Sequence, residues 1–330
     1  MNEPYPLAHW ADRMQEVDPK VLEAVAAAVS GVGANADVAV EPLAGAGNHK
    51  VFGLRFAGRD YCLKQPTPTK RHKGMPELVL RREVGGLCAL ADRLPGICPR
   101  PLAWNTDPTW LLMEMLPGNH LGNTALTQSQ LTALADAYKE FYGLRPQTAG
   151  EALWDIDWDV RFMVQWMVDH RAALADAGQK DGAAAEAAAL MGEWLDSPDP
   201  ARFLEDSDCL VFARGDQNMA NAIWDGDRVR FVDMEYCGWS DIARDLSLVT
   251  DHIRSYETPV EGWDFFLSQF DLSASQRRRL LAGRRRQALS WLAKECLRPG
   301  SLLGVPRGDG QGGRVEVLLD RARALSAKTV

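Results

Sequence analysis

Hydrophobic and polar positions change period several times along the 330-residue chain. Over residues 8 to 30, Val21, Leu22, Val25 and Val29 recur at helical spacing, ahead of a glycine-bearing stretch. From Val38 the pattern becomes strand-like: residues 38–44, then 50–56, then 61–65, separated by turns at Gly45 and Gly47 and at residues 57–60. A Pro- and Lys-rich loop follows, and Leu80, Val84, Leu87 and Leu90 then mark one face of a helix over residues 77–94. Strands return near residues 100–104 and 109–116, and Pro117-Gly118 interrupts them. Beyond that break the apolar spacing is mainly helical, over 131–141, 157–175 and 182–195. Short strands at 209–214, 221–224 and 229–234 interrupt it, the last two flanking the hairpin turn Asp225-Gly226-Asp227. Helices resume to the end, apart from a loop at 299–313. These periods predict an α+β chain of two lobes: a helical extension over residues 1–37, an antiparallel sheet plus helix over 38–116, and a mainly helical lobe over 117–330.

Composition narrows the function. With 46% hydrophobic and 25% charged residues the chain has the make-up of a soluble globular protein long enough for two packed lobes. No stretch approaches the ~20 apolar residues that span a bilayer, so a cytoplasmic protein without a membrane partner is expected. A net charge of −8 argues against a general nucleic-acid binder. The six cysteines show no zinc-type or paired spacing, and reduced, structural thiols are expected.

Against that background one segment carries chemistry. Arg214-Gly215-Asp216-Gln217-Asn218-Met219-Ala220-Asn221 places an Asp and an Asn five residues apart after a strand, the spacing of a kinase catalytic loop. Asp216 is the candidate catalytic base and Asn221 a candidate Mg²⁺ ligand. Asp233 ends the strand that follows, where its carboxylate offers the hard oxygen donors that Mg²⁺ prefers. Upstream, Lys64 lies on a strand where an ammonium can pair with nucleotide phosphates, and Glu83 lies on a helix that can orient it. Glu77 is a rival, but Glu83 shares the phase of Leu80, Leu87 and Leu90 and so faces inward. The glycine turn with Gly45, Gly47 and Asn48 can bring backbone N–H groups close to phosphate. Glu114, Met115 and Leu116, ahead of the Pro-Gly break, are candidates to meet a purine edge.

In this order the Gly turn, Lys64, Glu83, the 113–118 segment, the 215–221 loop and the run from Phe231 to Ser247 resemble the aminoglycoside phosphotransferase and choline kinase superfamily over roughly residues 38 to 250. The resemblance implies a bilobal protein-kinase-like fold, ATP or GTP and Mg²⁺ as cofactors, Asp216 as base, Asn221 and Asp233 on the metal, Lys64 on the phosphates, and Glu83 as the partner of Lys64. It further implies that Asp245 braces the catalytic loop, and Glu235 matches an acidic position near the metal Asp. The chain departs from that family at Arg214, where His is usual; an Arg still donates hydrogen bonds but keeps its charge.

Only twelve positions separate Asp233 from Asp245, which leaves no room for the activation segment with which protein kinases hold a peptide. The partner is therefore expected to be a small hydroxylated acceptor, either an antibiotic of aminoglycoside or nucleoside type or a choline- or ethanolamine-like metabolite. A pseudokinase that binds nucleotide without transfer is the other reading, prompted by Arg214. The cluster Trp154, Asp155, Asp157, Trp158 and Asp159 suits an amine through charge and cation–π contact, or else forms a helix N-terminus. Glu235 and Trp239 are further acceptor candidates. The basic runs Arg277 to Arg279 and Arg284 to Arg286 are expected to form a solvated helix face. Oligomeric state is not encoded in any motif.

Overall fold

A computed structural model describes residues 39–43, 49–56, 58–66, 76–105, 109–122, 124–144, 160–205, 210–297 and 312–329. The expected helix at 8–30, the glycine turn with Gly45, Gly47 and Asn48, the loop at 66–74 beyond Pro66, and the Trp154 to Asp159 cluster lie outside the described residues. Two compact units emerge. The first takes in the described residues up to Gly118 together with Arg230–Cys237, and the second takes in the remainder.

The first unit is built on five antiparallel strands: β1 (Ala39–Pro42), β2 (His49–Phe56), β3 (Arg59–Pro66), β4 (Pro101–Trp104) and β5 (Leu111–Glu114), in the order β1-β2-β3-β5-β4. The pleat of β3 decides which side chains face which layer. Tyr61 and Leu63 join Phe52, Leu54, Trp110 and Leu112 in one apolar cluster, and Cys62 and Lys64 point to the other face. Helix α1 (Pro76–Ala91) buries Leu80, Val84, Leu87 and Leu90 along one stripe. It ends three residues earlier than the apolar period suggests. The N–H groups of Arg93 and Leu94 both fold back on the Leu90 carbonyl, and Gly96 then takes a positive φ of 82°.

In the second unit the helices start where the sequence supplies caps. Helix α2 (Gln128–Gly143) opens on a reciprocal Thr127–Gln130 capping box, and α3 (Val160–Gly178) follows. Asp181 caps α4 (Gly182–Asp196), which is followed by the short α5 (Asp199–Leu204). Strand β6 (Asn119–His120) pairs with β8 (Ala222–Trp224), and β7 (Leu210–Ala213) pairs antiparallel with β10 (Gly238–Asp241). Between β8 and β9 (Val229–Phe231) the Asp225 carboxylate accepts the N–H groups of Asp227 and Arg228 at 3.0 and 2.8 Å, closing the expected turn. Helices α6 (Ile242–Asp251), α7 (Val260–Leu267), α8 (Ala274–Cys296) and α9 (Gly312–Ser326) complete the unit. Met167, Leu174, Met191, Trp194, Leu289, Leu292 and Leu318 belong to one core cluster of this unit.

Strand β10 is absent from the sequence expectation because Gly-Trp-Ser-Asp has neither alternation nor length to announce it. It is fixed by pairing, with Trp239 opposite Phe212. A second difference concerns α8. Its basic runs are a solvated face only in part: Arg277 and Arg278 are exposed, but Arg279, Arg284 and Arg286 are only 2%, 3% and 4% exposed. Arg279 pairs with Asp241 at 3.0 Å, and Arg284 with Asp251 at 2.7 Å. Carboxylates distant in sequence make that burial tolerable, which periodicity along one helix cannot reveal. No described helix is long and apolar enough to cross a membrane.

Candidate active site

The first unit gathers one cation and three carboxylates. Lys64, on the α1-facing side of β3, is buried and its ammonium lies 2.6 Å from the Glu83 carboxylate, in contact with Asp233, and 3.6 Å from Glu235. Burial alone would lower the Lys64 pKa, but the charges of Asp233, Glu83 and Glu235 outweigh it and hold the ammonium well above its ordinary value. Glu83 is pushed up by burial, against the pull of Lys64. Its other oxygen accepts the Met234 N–H at 3.3 Å, which ties α1 to the segment carrying Asp233. One turn further along α1, Gly86 permits the approach: a Cβ there would run into the Cys237 sulfur.

Asp233 itself has a left-handed backbone, φ 64°, unusual for a non-glycine residue and one that Asp tolerates better than most. That conformation turns the carboxylate out of strand geometry toward Lys64. Each of Glu83, Asp233 and Glu235 offers an oxygen within 4.8 Å of the others, a set able to hold a cation. Their side chains are 1%, 29% and 2% exposed, so Asp233 alone of the three reaches toward solvent. Glu235 is also turned inward by His49, whose Nε2 lies 2.5 Å from its carboxylate. Glu83 and Glu235 thus serve the lysine and the histidine, and Asp233 suits Mg²⁺ as an oxygen donor.

At the end of β5, Glu114 is largely exposed; its N–H donates to the Arg100 carbonyl at 3.0 Å and its carboxylate accepts the Arg100 N–H at 3.2 Å. Met115 and Leu116 continue beyond the strand as half-buried backbone.

The second unit holds the loop after β7. Gly215 takes φ 79°, a turn that a Cβ would strain, and it aims the next residue off the strand. The Asp216 carboxylate accepts the Asn218 N–H at 3.1 Å and the Asn221 side-chain N–H at 3.3 Å. With its amide nitrogen so directed, Asn221 keeps a carbonyl oxygen, a hard donor suited to Mg²⁺. Gly215→Ala should cost about 1–2 kcal/mol in chemical denaturation, with activity falling alongside as the loop shifts.

Arg214 is fully buried, and its guanidinium donates to the Asp216 carbonyl at 2.8 Å and to the Tyr138 hydroxyl at 3.3 Å. Tyr138 in turn donates to the Gln217 side-chain oxygen. Gln217 donates to Asp245 at 2.5 Å, and Tyr142 donates to the other Asp245 oxygen at 2.7 Å. His120 adds a contact from β6, its Nδ1 lying 2.5 Å from the Ala220 carbonyl. Arg214 and Asp245 therefore sit in one buried network that holds the loop by backbone and side chain. The residues sequence reasoning missed are Tyr138, Tyr142, Gln217 and His49. The two tyrosines stand four apart on α2, a same-face spacing that was available as a signal. Trp239 packs its ring against Phe212 at 5.7 Å and is 8% exposed.

Burial pushes the Asp245 carboxyl up to about 6, against the hydrogen bonds from Tyr142 and Gln217 and the charge of Arg214. A folded pKa above the unfolded one stabilises the fold below pH ~4, and that contribution is lost as pH rises through about 6. Wild type should therefore gain about 2 kcal/mol relative to Asp245→Asn as the pH falls from 7 to 4, measured by denaturant unfolding across that range.

Residues 39–293 match the model of the phosphotransferase enzyme family. No curated protein matches the sequence. Among solved structures the chain is similar to spectinomycin phosphotransferase in complex with ADP and spectinomycin, at 10% identity and TM-score 0.59, covering 93% of this chain and 98% of that one. It is similar to a choline/ethanolamine kinase family protein from Mesorhizobium loti at 16% identity and TM-score 0.56, covering 94% and 95%. A macrolide 2'-phosphotransferase type I matches at 16% identity and TM-score 0.56, covering 94% and 98%. At these identities the likeness is one of fold.

Proposed function

Because the chain belongs to the phosphotransferase enzyme family, we propose that it transfers the γ-phosphate of ATP or GTP to a hydroxyl of a small molecule, with Asp216 as the base. The observation that carries this reading is Lys64: a buried, firmly protonated ammonium held by Glu83 and Asp233, ready to exchange carboxylate for phosphate oxygen. Phosphoryl transfer needs positioning and charge neutralisation more than covalent chemistry. Lys64 binds the phosphates, and Glu83 fixes its direction. Asp216, its carboxylate oriented by Asn218 and Asn221, accepts the acceptor's hydroxyl proton. Asp233 and Asn221 are the residues to hold Mg²⁺, which when bound neutralises charge on the transferring phosphate. Arg214 does not replace the base or block it; it braces the Asp216 carbonyl, so the reading favoured is turnover rather than nucleotide binding alone.

The acceptor we propose first is an antibiotic hydroxyl, since enzymes whose names specify spectinomycin and macrolides share the fold over nearly the whole chain. A choline- or ethanolamine-type acceptor is the second reading, on the likeness to the Mesorhizobium loti protein. Incubation of the full chain and Mg-nucleotide with a panel of hydroxylated antibiotics and metabolites, followed by mass spectrometry, decides between them. A gain of one phosphate on an antibiotic supports the first, on choline or ethanolamine the second, and no gain on any member counts against transfer.

A further inference from the structure

Three consecutive residues fasten the segment after β9 to the sheet and to α1. Asp233 contacts Lys64 of β3, the Met234 N–H donates to Glu83 of α1 at 3.3 Å, and Glu235 meets His49 of β2 at 2.5 Å. The third of these contacts decides what Glu235 does to Lys64. In the β2–β3 ladder Val51 stands opposite Lys64 and His49 opposite Pro66, so His49 and Lys64 share one face of the sheet, diagonal to each other. A single Glu235 oxygen, Oε2, lies 2.5 Å from the His49 Nε2 and 3.6 Å from the Lys64 ammonium. The first separation is a hydrogen bond; the second is too long for one.

Glu235 is 2% exposed, and among the described residues His49 is the one hydrogen-bond partner of its carboxylate. A buried carboxylate that loses its donor bears the full cost of desolvation unless it finds another. For Glu235 the nearest alternative is the Lys64 ammonium. An ammonium has three N–H groups. Glu83 at 2.6 Å and Asp233 are already beside it, so a further carboxylate would take the place that a phosphate oxygen needs.

We propose that His49 is a positioning residue for nucleotide binding: by engaging Glu235 it keeps that carboxylate off the Lys64 ammonium and leaves the lysine able to meet phosphate. The inference rests on the reading of Lys64 as the residue that binds the phosphates. His49 acts on it through Glu235, and its contribution is to affinity for nucleotide rather than to the transfer step.

Its test is calorimetric titration of the full chain with Mg-ADP and, separately, with Mg-GDP, which carry phosphates for Lys64 and no γ-phosphate to transfer. Whichever wild type binds should bind His49→Leu about tenfold more weakly, the scale of one hydrogen bond to a charged group. His49→Gln, whose amide can donate to Glu235 in place of Nε2, should restore most of the affinity. Adding Glu235→Gln to His49→Leu removes the charge that competes for Lys64 and should also recover most of the loss, a coupling that simple damage to β2 would not produce. Undiminished affinity in His49→Leu overturns the proposal, and so does a loss that neither His49→Gln nor the added Glu235→Gln relieves. If His49→Leu does not fold, His49→Asn, whose amide is too short to reach the Glu235 oxygen, takes its place under the same criteria. A wild type that binds neither nucleotide overturns the reading of Lys64 and this proposal with it, whereas failure confined to the variants leaves that reading intact.

Discussion

Asp216→Asn should lower kcat by roughly 10²- to 10⁴-fold while leaving the fold intact. The Asn side chain keeps an oxygen to accept the Asn218 N–H, now at 3.1 Å, and only the 3.3 Å contact from the Asn221 amide is given up, with the Asn221 oxygen left in place. Arg214 still grips the backbone carbonyl, which the substitution does not touch. What disappears is the capacity to receive a proton. Steady-state kinetics should therefore show a collapse in kcat with KM for nucleotide nearly unchanged, and denaturant unfolding should agree with wild type to within about 0.5 kcal/mol. A variant with full turnover would remove Asp216 from the role of base.

Lys64→Met should be the most destabilising of the site substitutions. The ammonium is buried among Glu83, Asp233 and Glu235, and its removal leaves three carboxylates facing one another. Breaking a buried pair from one side costs about 3–5 kcal/mol, far more than the pair's net worth, because the remaining charges are stranded. The sign of the pH dependence follows. Without Lys64 the carboxylates can relieve their repulsion only by binding protons, so their folded pKa values rise above those of the unfolded chain. Their stabilising contribution is then present at low pH and lost as the pH rises. The deficit of the variant should thus be smaller at pH 5 than at pH 7, read from urea unfolding at both. Nucleotide binding should be weakened at either pH, since the ammonium proposed to meet the phosphates is gone.

Much of this site was legible because its residues are spaced by local rules. Asp216 and Asn221 follow a strand, Lys64 lies on one, and Glu83 shares a helix phase with Leu80 and Leu87; each is a statement about neighbours in sequence. The α+β class, the antiparallel sheet and the helix-rich remainder could be read for the same reason. What escaped the sequence depends on long-range contact. His49 meets Glu235 across 186 positions, and Tyr138 and Tyr142 reach the loop network across 79 and 103. The burial of Arg279 and Arg284 depends on Asp241 and Asp251, carboxylates 38 and 33 positions away. Strand β10 has no pattern of its own and exists through its register with β7. Arg214 is the instructive case: its departure from the family's usual residue was visible, but its hydrogen bond to the Asp216 carbonyl was not.

The family assignment makes phosphoryl transfer the central claim, and the path of the phosphate tests it most directly. ATP or GTP carrying an isotopic label on the γ-phosphate should be incubated with the full chain, Mg²⁺ and the hydroxylated panel, and the acceptors analysed by mass spectrometry. The account predicts labelled phosphate on an acceptor hydroxyl with wild type, and its loss with Asp216→Asn. Labelled inorganic phosphate without any phosphorylated acceptor, or equal transfer by the Asn variant, would contradict it.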